Sequence, residues 1–533
     1  MEVDCIPFRK TGYFSKLICD YLDENEALKS FYNRFPTLES FADQVQEKSK
    51  NYPKHHRKTL SGALLGQYKG LEISELTLQH INSLKNKNTF TVVTGHQLNL
   101  FSGPLYFLYK IISTINLCEV LKATHPGNHF VPVYWMASED HDFDEINYFN
   151  FQGKKIQWNK ASGGAVGRMD TDGLEEVFEV LSARLGGSKN ANQLKELFRQ
   201  AYLEHKTLVE ATRFLANSLF GDLGLVVLDS DDMALKTLMV PHMKKDIFEK
   251  LPFQKVSESV ERLSKVSGDY KIQVNPREIN YFYLKEGLRE RIIESEGQYR
   301  VNDTDIVFTK AQLEDEMEAH PERFSPNVIA RPLYQEVILP NLCYIGGGGE
   351  LAYWLELGDY FNAMDITFPM LLLRNSALVI TKKQSGKIKK LDVSMADLFL
   401  KQNSLINKKI RQISEIDIDF SPQKKLLEEQ FDHLYNLAQM TDKSFIGAVK
   451  AQEVKQKKGL DHLEKRLLKA QKRKLKDHVD RLTELQDQLF PNYALQERQL
   501  NFSELYLAYG PDLVPKLKNA LDPLQHSFLV LRD

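Results

Sequence analysis

Cysteine is scarce in this chain. Four residues in 533 (Cys5, Cys19, Cys118, Cys343) lie far apart and in no CxxC spacing. That excludes a disulfide framework and a cysteine-rich zinc site. Charge of one sign is missing as well: 70 Lys+Arg against 72 Asp+Glu leave a net charge of −2, so no global field marks a nucleic-acid binder. No apolar run is long enough to span a bilayer. The opening MEVDCIPFRKTGYFSK has neither the basic nor the apolar region of a signal peptide. Together these predict a soluble, reduced, cytoplasmic protein that touches neither membrane nor nucleic acid. Gly-x-Ser-x-Gly, Walker and GxGxxG patterns are absent too, which removes the hydrolase elbow and the usual nucleotide fingerprints. What is present is ordinary globular composition, 42% hydrophobic and 10% aromatic, at a length that suggests about two to four domains.

The chemistry concentrates in residues 91–145. Two apolar runs, Phe90–Val93 and Phe130–Ala137, each stop at a polar, titratable cluster. The first ends at Thr94-Gly95-His96-Gln97, with Asn99 close behind. The second ends at Ser138-Glu139-Asp140-His141-Asp142, followed by Asp144 and Glu145. Between them Gly103-Pro104 opens an amphipathic segment, proline being suited to a helix's first turn. This reads as strand–loop–helix–strand. Ligands of open α/β sheets bind at the carboxyl ends of the strands, so the unit reads as an active-site floor. Residues 224–232 repeat the pattern, a buried strand delivering Asp229, Asp231 and Asp232. We expect 90–94, 130–137 and 224–229 to be neighbouring parallel strands of a doubly wound sheet, with His96, Glu139–Asp142 and Asp229 facing one crevice.

Elsewhere, residues 1–90 read mainly as helix, with the Lys/His-rich 49–58 as a solvated face. Residues 174–220 read as two helices broken at Gly186-Gly187, and 270–310 as hairpins. Ser325-Pro326-Asn327 predicts a turn, and Val328–Ala330 a short strand before Arg331-Pro332. Gly346-Gly347-Gly348-Gly349 precedes Glu350 and a helix carrying Tyr353 and Trp354. Its N–H groups could cradle a phosphate or carboxylate, or simply make a tight strand-to-helix turn. From about 377 the composition becomes lysine-rich. Residues 423–490 carry leucine stripes at three- and four-residue steps, coiled-coil spacing in a charged helical hairpin. The basic run 465–476 lacks the aromatic residues that stack bases, so it reads as a solvated face.

His141 amid Glu139, Asp140, Asp142 and Asp144 admits three readings. It is a metal site, for which His and carboxylates suit Mg²⁺, Mn²⁺ or Zn²⁺. It is a general base oriented by a carboxylate. Or it is a helix start whose acids stabilise the dipole.

Several blocks resemble the bacillithiol-biosynthesis cysteine-adding enzymes. They are Thr94-Gly95-His96-Gln97 with Leu100-Phe101-Ser102-Gly103-Pro104, Glu139-Asp140-His141-Asp142-Phe143-Asp144-Glu145-Ile146, Ser325-Pro326-Asn327 with Arg331-Pro332-Leu333 and Gln335-Glu336, and Tyr344-Ile345-Gly346 with Gly349-Glu350 and Tyr353-Trp354. The resemblance covers nearly the whole chain, in order. It implies a Rossmann-like α/β core over 1–376, with connecting-peptide-type insertions near 146–220 and 240–320. A coiled-coil domain over 377–490 that pairs two subunits would follow, and a 491–533 segment docking on the core. The implied reaction joins L-cysteine to the amine of glucosaminyl-malate, with ATP forming a cysteinyl adenylate and an adenine nucleotide (ATP or ADP) bound. Implied catalytic groups are His96, Gln97, Glu139, Asp140, His141 and Asp142. Implied binding groups are Thr94, Gly95, Asn99, Asp144, Asp229, Asn327, Arg331, Gln335, Glu336, Gly346–Gly349, Glu350 and Trp354. Mg²⁺ is the metal such carboxylates would take. A nucleotide- or thiol-binding scaffold and a synthetase-related RNA-interacting protein are the competing classes.

Overall fold

The computed structural model describes residues 1–533. Five strands form its central sheet: β1 (Thr89–His96), β2 (His129–Met136), β3 (Val226–Asp229), β4 (Asn341–Gly346) and β5 (Met370–Leu373). Their spatial order is β5-β4-β1-β2-β3, and every pairing is parallel. The order reverses between β1 and β4, the switch point of a doubly wound sheet. Sequence explains the strands' placement. Their near-continuous apolar runs suit burial on both faces, as parallel sheets require, and all eight residues of β1 are buried. Helix α1 (Tyr106–Thr124) makes the crossover from β1 to β2. Leu117 and Leu121 on it pack with Phe90, Val92, Phe130, Ile345 and Leu372 from the strands.

Other segments depart from the sequence reading in instructive ways. Residues 174–220 hold three helices, Leu174–Leu185, Lys189–Leu203 and Leu208–Phe220. Thr207 starts the third with a capping box to Glu210, a start signal hidden inside a continuous helical pattern. Ser325-Pro326 belongs to a strand, Phe324–Pro326, and Val328–Ala330 is no strand. The Asn327 Oδ1 accepts the N–H groups of Ile329 (2.8 Å) and Ala330 (3.1 Å), and helix Ala330–Ile338 follows with Pro332 in its first turn. Strand Phe324–Pro326 edges a five-stranded sheet with Tyr281–Lys285, Leu288–Ser295, Gln298–Val301 and Val307–Phe308, antiparallel throughout. The 49–58 stretch is only partly solvated, since His56 and Arg57 are buried.

The chain divides into two compact units. The first comprises Met1–Arg9, Tyr13–Val379 and Ala494–Leu531; the second comprises Lys10–Gly12, Ile380–Tyr493 and Arg532–Asp533. The second is helical. Its long helices are α2 (Ser421–Gln439), α3 (Lys443–Lys474) and α4 (Lys476–Leu489), so the expected hairpin is a pair of helices with a third after a break at Leu475. Phe431, Ala438 and Val449 form the seam between α2 and α3. No helix is long and apolar enough to cross a membrane.

Candidate active site at the sheet's switch point

A cavity of about 400 Å³ lies over the carboxyl ends of β1, β2 and β4. The apolar strands carry the chain to this rim, and the polar clusters begin where the strands stop. β1 supplies Gly95 and His96, followed by Gln97; the loop after β2 supplies Glu139 to Asp142; Asn327 and Arg331 come from the start of the Ala330–Ile338 helix.

His141 is an accessible titratable group here, with a side chain 45% exposed, next to Asp142 at 52%. Its Nδ1 lies 3.7 Å from Asp140 Oδ1 and its Nε2 3.7 Å from Asp142 Oδ1. Asp140 raises the imidazole pKa above its usual value, while burial and the Arg289 charge oppose the rise. The Arg289 Nη1 donates to Nδ1 at 2.6 Å. That bond requires the lone pair of a neutral ring, so carboxylate and guanidinium pull the same proton in opposite directions. Asp140 stays ionised: burial works against its charge, but hydrogen bonds from His141 and Gln97, with Arg289 nearby, hold it down at about 2. The Gln97 Nε2 bridges Asp140 Oδ2 (3.1 Å) and Glu145 Oε2 (3.0 Å).

Glu139 is buried, and burial raises its pKa. Lys236, itself fully buried, approaches it to 2.5 Å and Asp231 to 3.3 Å. Arg331 sits in an aromatic box, its guanidinium 5.7 Å from the Trp135 and Tyr344 rings and 6.0 Å from Trp354, a cation–π arrangement. Its Nη1 donates to Gln335 Oε1 at 3.1 Å. Gln335 in turn donates to Glu336 (3.0 Å), which also receives Lys48 (2.8 Å) and Asn341 (2.6 Å). Gln335 and Glu336 therefore lie behind the cleft and seat Arg331.

Glu350 borders the cleft, accepting Lys110 Nζ at 2.8 Å on Oε1 and the Gly347 N–H at 2.6 Å on Oε2. Burial alone would raise its pKa, but Lys110, the Gly347 N–H and Arg331 outweigh that and hold it low. This pairing changes the reading of the glycine run. Gly346 ends β4, Gly347 caps the helix Gly348–Trp354, and the chain's own carboxylate already occupies the first N–H. Gly346 is needed for a different reason: a Cβ there would meet the Tyr344 ring at 2.9 Å.

Other sequence-selected residues stand apart from the cleft or only edge it. Thr94 is buried, donating to Ile345 O at 2.8 Å. The Trp354 ring stacks on Tyr344 at 4.6 Å, lining the cleft only through it. Asp144 lies in the first turn of the short helix Phe143–Ile146. Asp229 does not share the crevice; it pairs with the Ser138 hydroxyl and lines a neighbouring cavity with Arg168 and Asp231. His96 reaches the cleft but is 7% exposed, between Tyr106 (5.5 Å) and Phe107 (5.1 Å). Burial, then the Lys110 charge, push its pKa well below the usual value, so it is a neutral ring. Reasoning from sequence missed Arg289, Phe282, Lys110 and Lys236. Only Lys110, one turn into the helix after Gly103-Pro104, offered a local signal.

Asp140, His141 and Asp142 present ligand atoms within 4.8 Å of one another. The guanidinium of Arg289 already lies inside that cluster and supplies its positive charge, so the set does not fit a resident divalent cation.

Fold and site together define a Rossmann-like α/β protein with its ligand cleft at the switch point of the sheet, joined to a helical coiled-coil region. The chain belongs to the BshC family of bacillithiol biosynthesis: residues 1–375 match the family's N-terminal Rossmann-like domain and 377–532 its C-terminal coiled-coil domain. Relatives span the full length. Proteins named "Putative cysteine ligase BshC" from Christiangramia forsetii and Flavobacterium johnsoniae are each 58% identical, covering 100% of this chain and 99% and 100% of theirs. One of the same name from Cytophaga hutchinsonii is 39% identical over 98% of this chain and 97% of its own.

Proposed function

We propose that this chain is a cysteine ligase that forms an amide between the cysteine carboxyl and the amine of glucosaminyl-malate, yielding bacillithiol. The observation that carries this reading is His141 in the switch-point cleft, with Asp140 and Asp142 at 3.7 Å on either side and Arg289 on its Nδ1. An attacking amine must lose a proton, and an imidazole flanked by carboxylates is suited to take it. In the neutral ring Nδ1 is the basic nitrogen, and Arg289 covers it. An anionic group entering the cleft draws Arg289 away and frees Nδ1, so the base is exposed only when its partner substrate is present. Asp140, kept ionised, then stabilises the imidazolium. Arg331, held by its aromatic box, is placed for a carboxylate or phosphate.

Amide formation from a free carboxylate needs an activated carboxyl, which ATP would supply as an adenylate. Gln97, Asn327 and neutral His96 would offer hydrogen bonds to that anion, since an uncharged imidazole still donates one. Thiol profiling tests the reading. Cells lacking this chain should accumulate glucosaminyl-malate and contain no bacillithiol, and normal bacillithiol in such cells would refute it.

We also propose that two copies pair through the helical unit. After α2 and α3 have packed on each other, Leu426 (60% exposed), Leu437 (58%) and Leu463 (53%) remain open to solvent, more apolar surface than one hairpin needs. Sedimentation at micromolar concentration should give a dimer; a monomer would overturn the pairing.

A further inference from the structure

The loop after β1 is strained in a way the switch-point cleft does not require. Phe101, Ser102 and Gly103 follow one another at φ of 48°, 67° and 60°, a left-handed run that is costly for non-glycine residues. It is held from outside. The Phe101 N–H donates to the Tyr202 hydroxyl at 2.8 Å. The Asn501 amide donates to Phe101 O at 2.8 Å and to Gly103 O at 2.7 Å. Leu105 N–H donates to Leu500 O at 2.7 Å. The C-terminal segment is thereby stitched along the loop. Glycine is required at 103, where a Cβ would lie 2.5 Å from that of Asn99.

What this arrangement encloses is a second cavity of about 430 Å³, lined by Gln97, Asn99, Tyr106, Glu145 and Arg498 among others. Gln97 lines both cavities, and its amide spans Asp140 and Glu145. The second chamber thus abuts the group that borders His141. Two features point to a ligand. Asn99 is 8% exposed, and its Oδ1 has no hydrogen-bond partner, a costly state for a buried acceptor. Arg498 is exposed at the chamber and joins no ion pair, although its neighbour Glu497 is fully committed to Arg374 and the Ala377 N–H. The lining carries both signs of charge, the unpaired Arg498 guanidinium and the Glu145 carboxylate that accepts from Gln97.

We propose that this chamber binds the malate end of the amine substrate. A malate carboxylate rests on Arg498, a sugar hydroxyl donates to Asn99 Oδ1, and the amine lies toward Glu145, Gln97 and Asp140, within reach of His141. A guanidinium fork matches a carboxylate in plane and charge. The proposal rests on glucosaminyl-malate being the amine substrate. It makes the C-terminal segment part of the substrate site, through Arg498 directly and through Asn501 by way of the loop.

The test is calorimetric titration of the full-length protein, wild type and Arg498→Gln, with glucosaminyl-malate and with the same glucosaminide lacking malate. Arg498 is exposed and unpaired, so the variant should keep its thermal midpoint. We expect glucosaminyl-malate to bind the variant at least about tenfold more weakly, the low end for a lost charge-assisted hydrogen bond. Arg498→Lys should be intermediate, and the malate-free glucosaminide should not distinguish the three proteins. Equal affinity of wild type and Arg498→Gln for glucosaminyl-malate overturns the chamber while leaving the ligase reading intact. No binding of glucosaminyl-malate to the wild type overturns the amine-substrate reading, and the chamber with it.

Discussion

Lys48 and Glu336 form an ion pair at 2.8 Å whose side chains are 2% and 0% exposed, and replacing Lys48 with methionine isolates its consequence. Methionine retains most of the apolar stem, so little cavity opens. What is lost is the charge facing Glu336 Oε2, leaving a buried carboxylate with donors only from Gln335 and Asn341 on Oε1. Breaking one side of a buried pair costs about 3–5 kcal/mol. The first unit has roughly 400 residues, so at ~2 cal/mol/K of unfolding entropy per residue its midpoint should fall by about 4–6 °C. All three tryptophans (Trp135, Trp158, Trp354) lie in that unit, so their fluorescence follows it alone. Lys48→Met with Glu336→Gln removes both charges and keeps an acceptor for Asn341, and should recover most of the loss, leaving about 1–2 kcal/mol. The two substitutions must therefore be strongly non-additive. Because Glu336 orients Gln335 and Gln335 holds Arg331, the single variant should also weaken anionic-substrate binding. A midpoint within 1 °C of wild type, or additive effects, would refute the reasoning.

Further predictions concern the histidines and the buried acids. His141→Ala should abolish thiol production at an unchanged midpoint, a loss of roughly 10²–10⁴-fold being usual for a general base. His96→Ala, which empties a site between two aromatic rings, should also lower the midpoint. Activity should rise with pH as His141 loses its proton. Asp140→Asn should move that rise to lower pH and Arg289→Gln to higher pH, because the first removes the group that raises the pKa and the second one that lowers it; identical profiles would sink the base assignment. The raised His141 pKa also stabilises the fold below about pH 6.5, and this contribution is lost as pH rises through the folded-state value. Asp246 is buried and pushed up to about 7, with one oxygen unpartnered. Its raised pKa favours folding in acid and is lost between about pH 4 and 7, by about 4 kcal/mol in all. Asp246→Asn should accordingly raise the midpoint at pH 8 and scarcely move it at pH 4.

The parts legible in the sequence share one property: they are carried by local pattern. The strands β1, β2 and β3 announce themselves as apolar runs ending in polar residues, and their parallel adjacency follows from alternation with helices. The leucine stripes of 423–490 show in the same way. Boundaries set by one hydrogen bond were not legible. Asn327 reads as a turn residue, and only its Oδ1 contacts to Ile329 and Ala330 reveal that it starts a helix. Thr207 was likewise invisible inside a helical pattern. Among candidate site residues, His141, Asp140, Gln97 and Arg331 sit together in the cleft, whereas Asp229 pairs with Ser138 on a strand at the sheet edge, with β1 and β2 between it and the switch point.

The cations of the site were the hardest part to read, for a physical reason. A carboxylate or imidazole at the end of a buried strand has few places to go, so its position in sequence nearly determines its position in space. A guanidinium on a long side chain acts at a distance from its backbone, and its partners are set by tertiary contacts. Arg289 comes from an antiparallel hairpin 148 residues after His141. Lys236 reaches Glu139 from nearly a hundred residues away. Arg498 arrives from the tail to a chamber formed around residues 97–106. For Arg289 and Lys236 the acidic cluster is displayed at the ends of the parallel strands and the cation by a segment outside them. The central sheet alone would therefore present an uncompensated acidic rim, and closing the site electrostatically requires the hairpin and the segment carrying Lys236 to be in place.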